Sequence, residues 1–191
     1  MLKDLITKSR SYRSFDESVK ISRDQLLDWV DHARFSPSSI NLQMLKFRIV
    51  YKKEECKKVL PLTRWAGKLK DITLPPMGHA PVAYVVICAD TAIISTAEGF
   101  AKDVGICAQS IMLAATESGF GGCMIGSFSP DELSSALALS TTLRPMLVLA
   151  LGKPDEEVRI VDAAPDGSVT YYRENGIHYV QKRALEELVI E

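Results

Sequence analysis

The chain has 191 residues, a formal net charge of −1 and 47% apolar residues. That length suits one domain, 1–191, whose core buries roughly 70% of the surface of the unfolded chain. Acidic and basic residues are mixed, so the sequence lacks the basic stripe of a nucleic-acid-binding protein and the polybasic segment of a membrane-surface protein. The longest strongly apolar stretch, 81–89, is too short to span a bilayer, and the N-terminus has no features of a secretory signal. We therefore expect a cytoplasmic protein that binds neither nucleic acid nor membrane.

Cysteine and histidine spacing predicts no metal site. The four cysteines include no CxxC pair, and the three histidines are widely separated. Cys88 and Cys107 lie inside apolar runs, where a free thiol packs as a small apolar side chain. The sequence therefore predicts a reduced protein without disulfides.

Helices and strands alternate in the first half of the chain. An N-terminal helix is expected first. Ser22-Arg23-Asp24-Gln25 then forms a capping box that opens a helix ending near Arg34. The β-branched run 81–89 is typical of a strand covered on both faces. The other predicted elements are a strand over 46–51, a charged helix over 53–60, and a short helix followed by a loop over 64–76.

A long helix dominates the second half. It is predicted from about residue 96 to 118, and its middle is apolar almost all round, which indicates enclosure by a core or by a subunit interface. Gly119 supplies its left-handed cap, and Asn175-Gly176 is typical of a hairpin turn. The remaining predictions are a strand over 123–125, a helix over 130–139 capped by Ser129, a strand over 144–151, hairpin strands over 170–172 and 177–180, and a final helix over 183–190. The fold class is α+β, a sheet clad by helices.

Two polar segments carry the functional prediction. Arg10-Ser11-Tyr12-Arg13-Ser14-Phe15 places two guanidinium groups and two hydroxyls on one short stretch, which suits a phosphate, although charge alone fits a solvated turn equally well. The segment 36–43 is a run of side chains that bond their own backbone, which predicts a rigid loop offering amide and hydroxyl groups. Together the two segments predict a site for a phosphorylated ring cofactor.

The order of these segments resembles the FMN-dependent nitroreductase family. Further similar segments follow at 103–110, 119–126 and 149–154, so that the resemblance covers essentially the whole chain. The glycines of 119–126 follow a helix and enter a strand, the reverse of the order in a dinucleotide-binding fingerprint. The resemblance implies a nitroreductase-like antiparallel or mixed sheet clad by helices, in an interlocked homodimer with FMN at the subunit interface.

The resemblance also implies a role for individual residues. Arg10 and Ser11 would hold the flavin phosphate. Arg13 would lie near the N1/O2 edge of the ring, where a fixed cation raises the reduction potential. Lys182 and Arg183 would add charge at the phosphate; the alternative is a surface-charged helix start. The partner subunit would contribute Pro37, Ser38, Ser39 and Asn41. The ring would lie against Met124, Ile125 and Gly126, with a backbone N–H near flavin N5.

The implied function is that of an FMN-dependent NAD(P)H oxidoreductase. NADH or NADPH would reduce FMN, leave, and be replaced by an electron-poor acceptor such as a nitroaromatic, a quinone or a free flavin. No side chain is predicted to be catalytic, because the flavin supplies the chemistry. Two departures from the family pattern, Ser9 in place of an arginine and Met44-Leu45 in place of Pro-Trp, affect the site. The alternatives are a non-enzymatic flavin-binding or sensing protein and a reductive dehalogenase of the same fold.

Overall fold

The computed structural model describes residues 1–69, 72–94 and 97–191. Short helices and antiparallel strands alternate along the chain, and the last three strands follow without an intervening helix. In chain order the elements are α1 (Leu2–Lys8), β1 (Phe15–Asp16), α2 (Arg23–Arg34), β2 (Leu45–Val50), α3 (Lys53–Val59), β3 (Ala83–Asp90), α4 (Ala101–Glu117), β4 (Gly121–Ile125), α5 (Pro130–Ala136), β5 (Leu143–Pro154), β6 (Glu157–Asp162), β7 (Tyr172–Glu174) and β8 (Ile177–Lys182).

A five-stranded antiparallel sheet forms the centre of the domain. Its order is β1-β5-β3-β2, and β4 also pairs with β5. The register places Val85 opposite Leu149, and it shifts between Ile87 and Cys88. Because β5 is long enough to pair with three strands, it brings the ends of β1 and β4 close together.

Helices cover both faces of this sheet. On β3, Val85 and Ile87 pack with α2 and α4, whereas Tyr84 and Val86 pack with α3 and α5. All four side chains are fully buried, as expected when successive residues of a central strand point to opposite faces. The predicted α+β class and the prediction of a strand covered on both faces are therefore confirmed.

The second sheet is small and has the order β6-β8-β7. β7 and β8 form the predicted hairpin, with Asn175 at φ 51° and Gly176 at φ 79°, both in the left-handed region that a two-residue hairpin turn requires. Strand β6, which pairs in parallel with β8, was not predicted from the sequence. A parallel partner reached through a long connection leaves no local turn signal.

Short sequence motifs correctly predicted where several of the other helices begin or end. The capping box at Ser22 is present, with Ser22 Oγ accepting from the Gln25 N–H at 3.1 Å. Ser129 caps α5, and Gly119 has φ 79° after α4.

All four cysteines are free and buried. In the described ranges no helix is long and apolar enough to cross a bilayer, and no cluster of metal-binding side chains occurs.

Three predictions about helices were wrong in extent. The final helix over 183–190 is only a 3-10 turn at Leu185–Glu187, because the exposed segment has no face packed on a core to stabilise a helix. No helix occurs in the described parts of 64–76; residues 70 and 71 lie outside the described residues. The long helix begins at Ala101, after a 3-10 turn at Ala97–Phe100, and residues 95 and 96 also lie outside them.

Helix α4 is not enclosed on every side within one chain. Ile106 is 41% exposed, and Gly105 and Gln109 share its exposed face. The opposite face, which includes Ala108 and Ile111, is fully buried against the sheet. The sequence predicted that either a core or a subunit interface encloses this helix. The exposed strip of Gly105, Ile106 and Gln109 is compatible with a subunit interface.

Candidate functional site

The arginine segment runs between α1 and β1 and lies beside β4. Ser11 forms a parallel bridge with Gly122, and the Tyr12 N–H donates to the Gly122 carbonyl at 2.9 Å. Glycine is required at two positions of β4: a Cβ on Gly121 would lie 2.7 Å from the Tyr12 ring of the arginine segment, and one on Gly122 would lie 2.1 Å from the Ala150 carbonyl oxygen of β5. Close backbone packing therefore fixes the position of both arginines.

A cavity of about 380 Å³ opens beside this segment. It brings together five residues of the predicted site, from both ends of the chain and from β4: Arg10, Ser11, Arg13, Met124 and Lys182. Six other wall residues were not among the predicted site residues: Gln109, Met112, Gly122, Tyr171, His178 and Val180. Ser9, noted as a departure from the family pattern, completes the wall.

The cavity wall is cationic. Arg10, Arg13 and Lys182 contribute three positive charges, and no carboxylate is among the described residues of the wall. Arg13 is only 9% exposed, and the Nε atoms of Arg10 and Arg13 are buried without a hydrogen-bond partner in the described part of the chain. Buried cationic donors are costly unless paired, so this arrangement favours an anionic ligand.

The buried side chain of His178 contacts Arg13. Its Nε2 atom lies 3.2 Å from Arg13 Nη1, and the same guanidinium nitrogen is 3.1 Å from the Ser11 carbonyl oxygen. Because a guanidinium can only donate, Nε2 must accept and the ring proton resides on Nδ1. Burial, together with the positive charges of Arg13 and Arg173, lowers the pKa of His178 to about 4. The imidazole is therefore neutral at neutral pH.

Glu156 ties the arginine segment to the C-terminal hairpin. Its buried carboxylate accepts from the backbone N–H groups of Arg13 and Ser14, the latter at 3.2 Å, and forms an ion pair with Arg173. The Arg13 guanidinium also lies 5.3 Å from the centre of the Tyr171 ring, a cation–π distance. Glu156 therefore holds the backbone of Arg13, and Tyr171 contacts its side chain.

Ile125 and Gly126 line an adjoining cavity of about 200 Å³. This cavity shares Arg13, Met124 and Tyr171 with the first one. A Cβ on Gly126 would have no described atom within 4 Å, so packing within this chain does not require glycine there. The backbone at Gly126 is therefore open to a ligand. Arg64 and Trp65 also line this cavity, a contribution that the sequence did not indicate.

The polar loop is anchored on α4. Ser38 Oγ and Ser39 Oγ donate to the buried carboxylate of Asp103 at 2.8 and 2.7 Å, and the Ser39 N–H donates at 2.9 Å. Although burial opposes ionisation, these bonds from Ser39 and Ser38 keep the pKa of Asp103 below its ordinary value. Ile40 and Asn41 have φ angles of 50° and 53°, an unfavourable conformation for a β-branched residue. These three hydrogen bonds anchor the loop on α4, and its rigidity stays a prediction.

Within one chain, the loop and the arginine segment line different cavities. Ser38 and Asp103 belong to a cavity of about 220 Å³ that shares no residue with the arginine cavity. Pro37, Ser39 and Asn41 line neither of the two. Arg183 also lies outside the arginine cavity, and its guanidinium pairs with Glu187 at 3.2 Å. The predicted site residues are therefore only partly assembled by a single chain.

A protein-family model matches most of this chain. The model of the nitroreductase family matches residues 6–153. The chain belongs to the nitroreductase family. The match includes the arginine segment, the polar loop and β4, and it makes the protein an oxidoreductase. It ends before the C-terminal sheet that supplies Tyr171, His178 and Lys182.

Curated relatives and solved structures agree with this assignment. The Bacillus subtilis proteins YodC and YdgI, named as candidate NAD(P)H nitroreductases, are 22% and 24% identical; the alignments cover 78% and 81% of this chain and 88% of each relative. A nitroreductase family protein of Clostridium novyi is 25% identical with a TM-score of 0.66, covering 81% of this chain and 86% of that one. An FMN-dependent nitroreductase of Clostridium difficile shares the fold, with 23% identity, a TM-score of 0.64, and coverage of 80% and 87%.

Proposed function

We propose that this nitroreductase-family protein binds FMN in the arginine cavity and transfers electrons from NADH or NADPH to an electron-poor acceptor such as a nitroaromatic, a quinone or a free flavin. The observation that carries the proposal is the cluster of Arg10, buried Arg13 and exposed Lys182 around one cavity whose described wall holds no carboxylate. The names of the similar proteins, which include an FMN-dependent nitroreductase and candidate NAD(P)H nitroreductases, point to the same cofactor and donor.

The residues of the cavity fit the parts of FMN. Arg10, Ser11 and Lys182 offer two cations and a hydroxyl for a phosphate. Met112 and Met124 offer apolar, polarisable surface for a flat ring. The open backbone at Gly126 allows a close approach, and the unpaired Nε of Arg13 is a donor for an electron-rich ring edge.

The chain's own contribution is binding, orientation and electrostatic field. When bound, FMN supplies the exchange of a hydride, first with a nicotinamide and then with the acceptor in a ping-pong cycle. The neighbour of Arg13, His178, is neutral at neutral pH, so that the imidazole adds no second positive charge beside the guanidinium. Glu156 and Tyr171 hold this arginine and shield it from water.

The functional unit in this proposal is a homodimer in the cytoplasm. The loop that carries Ser39 and Asn41 would complete the site of the partner subunit, because it lies away from the arginine cavity of its own chain. The exposed strip of α4 with Ile106 adjoins Gln109, which lines that cavity, and offers apolar surface for the interface. The exposed Ile40 extends this surface from the loop.

The visible spectrum of the purified protein tests the proposal. The protein is supplemented with FMN, desalted and then mixed anaerobically with NADH or NADPH. We expect flavin bands that survive desalting and bleach with one of the two nucleotides. Bands that persist without bleaching would contradict the reductase proposal and favour a flavin-binding or sensing role. Loss of the bands on desalting would contradict tight flavin binding itself.

A further inference from the structure

A separate cavity of about 290 Å³ lies beside α3. Its wall combines one face of α3, the start of β3 and the segment before α2, and it shares no residue with either cavity of the candidate flavin site. The wall combines three lysines and the carboxylate of Glu17 with Cys56, Tyr84 and apolar side chains.

The wall contains a buried donor without an acceptor. Tyr84 is fully buried, and its hydroxyl has no hydrogen-bond partner in the described parts of the chain. Burial raises the pKa of Tyr84 well above its ordinary value, so that the hydroxyl keeps its proton and remains a donor. Buried polar groups in native proteins are nearly always satisfied. This hydroxyl therefore indicates an acceptor atom that the chain itself does not supply.

The charges around the cavity favour an anion. Lys20 contacts the backbone oxygen of Glu17, and Lys57 pairs with Glu54 at 3.0 Å. Lys53 has no ion-pair or hydrogen-bond partner among the described residues. The single wall carboxylate, Glu17, already accepts from the Ala80 N–H at 2.8 Å.

The Cys56 thiol adds no negative charge to this wall. Burial raises its pKa to about 11, so that the thiol stays neutral at neutral pH, and its Sγ lies 3.4 Å from the Val82 carbonyl oxygen. Because Glu54 balances the charge of Lys57, the ammonium groups of Lys20 and Lys53 remain against one wall carboxylate, Glu17.

The rest of the wall is apolar. Tyr51, Leu60, Pro81 and Val82 offer ring and aliphatic surface, which suits a flat apolar body more than a bare inorganic anion. The volume is near the lower limit of small-molecule sites, so that the ligand is the size of a single substituted ring. We infer that this second cavity binds a small aromatic carboxylate, with the carboxylate at Lys53 and the Tyr84 hydroxyl and the ring against the apolar wall.

Calorimetric titration of the full-length protein with benzoate tests this inference. We expect saturable binding with one site per chain, with and without added FMN, because the two cavities share no residue. Lys53→Gln and Tyr84→Phe should each weaken binding about tenfold, the usual loss when a charged acceptor loses one partner. Lys58→Gln is the matched control, because Lys58 is exposed on the same helix but does not line the cavity.

A thermal unfolding series on the same variants separates binding from folding. Tyr84→Phe removes an unpaired hydroxyl, so we expect a melting temperature equal to or above that of the original protein, and a smaller increase on addition of benzoate. Binding that is unchanged in both Lys53→Gln and Tyr84→Phe, or displaced by FMN, would place benzoate elsewhere and overturn the inference. If phosphate or benzamide bound as tightly as benzoate, the assignment to an aromatic carboxylate would be overturned.

Discussion

Nη1 of Arg13 lies 3.2 Å from Nε2 of the buried His178, 165 residues later in the chain. This contact joins the segment that carries the predicted phosphate-binding residues to the C-terminal hairpin. It also fixes the protonation state of the imidazole, since the ring accepts from a guanidinium that cannot give up its charge. The relationship has a measurable consequence for the pH dependence of stability.

Lowering the pH below 6.5 should destabilise the protein because His178 is held neutral in the folded chain. The folded pKa is about 4 and the ordinary value is 6.5, so between these values the unfolded chain binds a proton that the folded chain does not. The free energy of unfolding should therefore fall as the pH decreases from 6.5 towards 4, by at most about 1.4 kcal/mol per pH unit. Urea unfolding at pH 7.5, 6.5 and 5.5 measures this slope.

His178→Gln should reduce that slope because it removes the titrating ring. His32→Gln is the control, since His32 is exposed on α2 and has no comparable contact with a cation. Equal slopes in His178→Gln and the original protein would show that His178 is not the group responsible.

Arg13 and Arg10 should have different effects on the bound flavin. If Arg13 lies at the ring edge that becomes negative on reduction, Arg13→Gln should lower the midpoint potential by about 30 mV, equivalent to about 1.4 kcal/mol for two electrons. Arg13→Lys should recover part of the potential because the charge remains. Arg10→Gln should mainly weaken FMN binding. Spectroelectrochemistry and fluorescence titration measure the two quantities; equal binding losses with no change in potential would contradict this division.

Lys182 and Arg183 are neighbours with different surroundings. Lys182 lines the arginine cavity, whereas the Arg183 guanidinium pairs with Glu187 on the exposed C-terminal segment. We expect Lys182→Ala to weaken FMN binding about tenfold, the loss of one charge-assisted bond, and Arg183→Ala to change it by less than about twofold. FMN titration of the two variants compares them directly. A larger loss in Arg183→Ala would mean that this arginine reaches the phosphate in the assembled protein.

Gly122 and Gly126 should separate folding from cofactor binding. A Cβ at Gly122 would collide with the Ala150 carbonyl, so Gly122→Ala should lower the free energy of unfolding by about 2 kcal/mol or more. Gly126→Ala has open space around it and should change stability by less than about 0.5 kcal/mol. It should nevertheless weaken FMN binding, because the methyl group lies where the ring would approach. Unfolding and FMN titrations of both variants test this contrast; unchanged FMN binding in Gly126→Ala would exclude a close approach there.

A mixed dimer can test whether the loop completes the partner's site. Chains with Arg10→Ala and chains with Asn41→Ala are each expected to bind FMN poorly as homodimers. When the two are combined, one site would receive intact arginines from one chain and an intact loop from the other. The mixed dimer should then recover FMN binding at about one site per dimer. No recovery would show that each chain builds its site alone.

Signals carried by neighbouring residues were sufficient for most of the fold. Three signals each act over a few residues: the capping box at Ser22, the β-branched run of β3 and the Asn175-Gly176 turn. The local sequence was therefore enough to predict the helix start, the strand and the hairpin. The arginine segment, the polar loop and Lys182 were likewise identified from residue type and from the family resemblance. The identity of the family and the chemistry of its site follow from these local patterns.

Tertiary structure decided what surrounds those residues. Strand β6 pairs in parallel with a strand reached only after a long connection, and His178, Tyr171 and Glu156 meet Arg13 because the C-terminal sheet packs beside it. The sequence determined which groups could bind a phosphorylated cofactor, since charge and hydrogen-bonding capacity belong to each residue. Only the folded chain determined that one arginine is buried against a neutral histidine, because burial and distance depend on contacts between residues far apart in sequence.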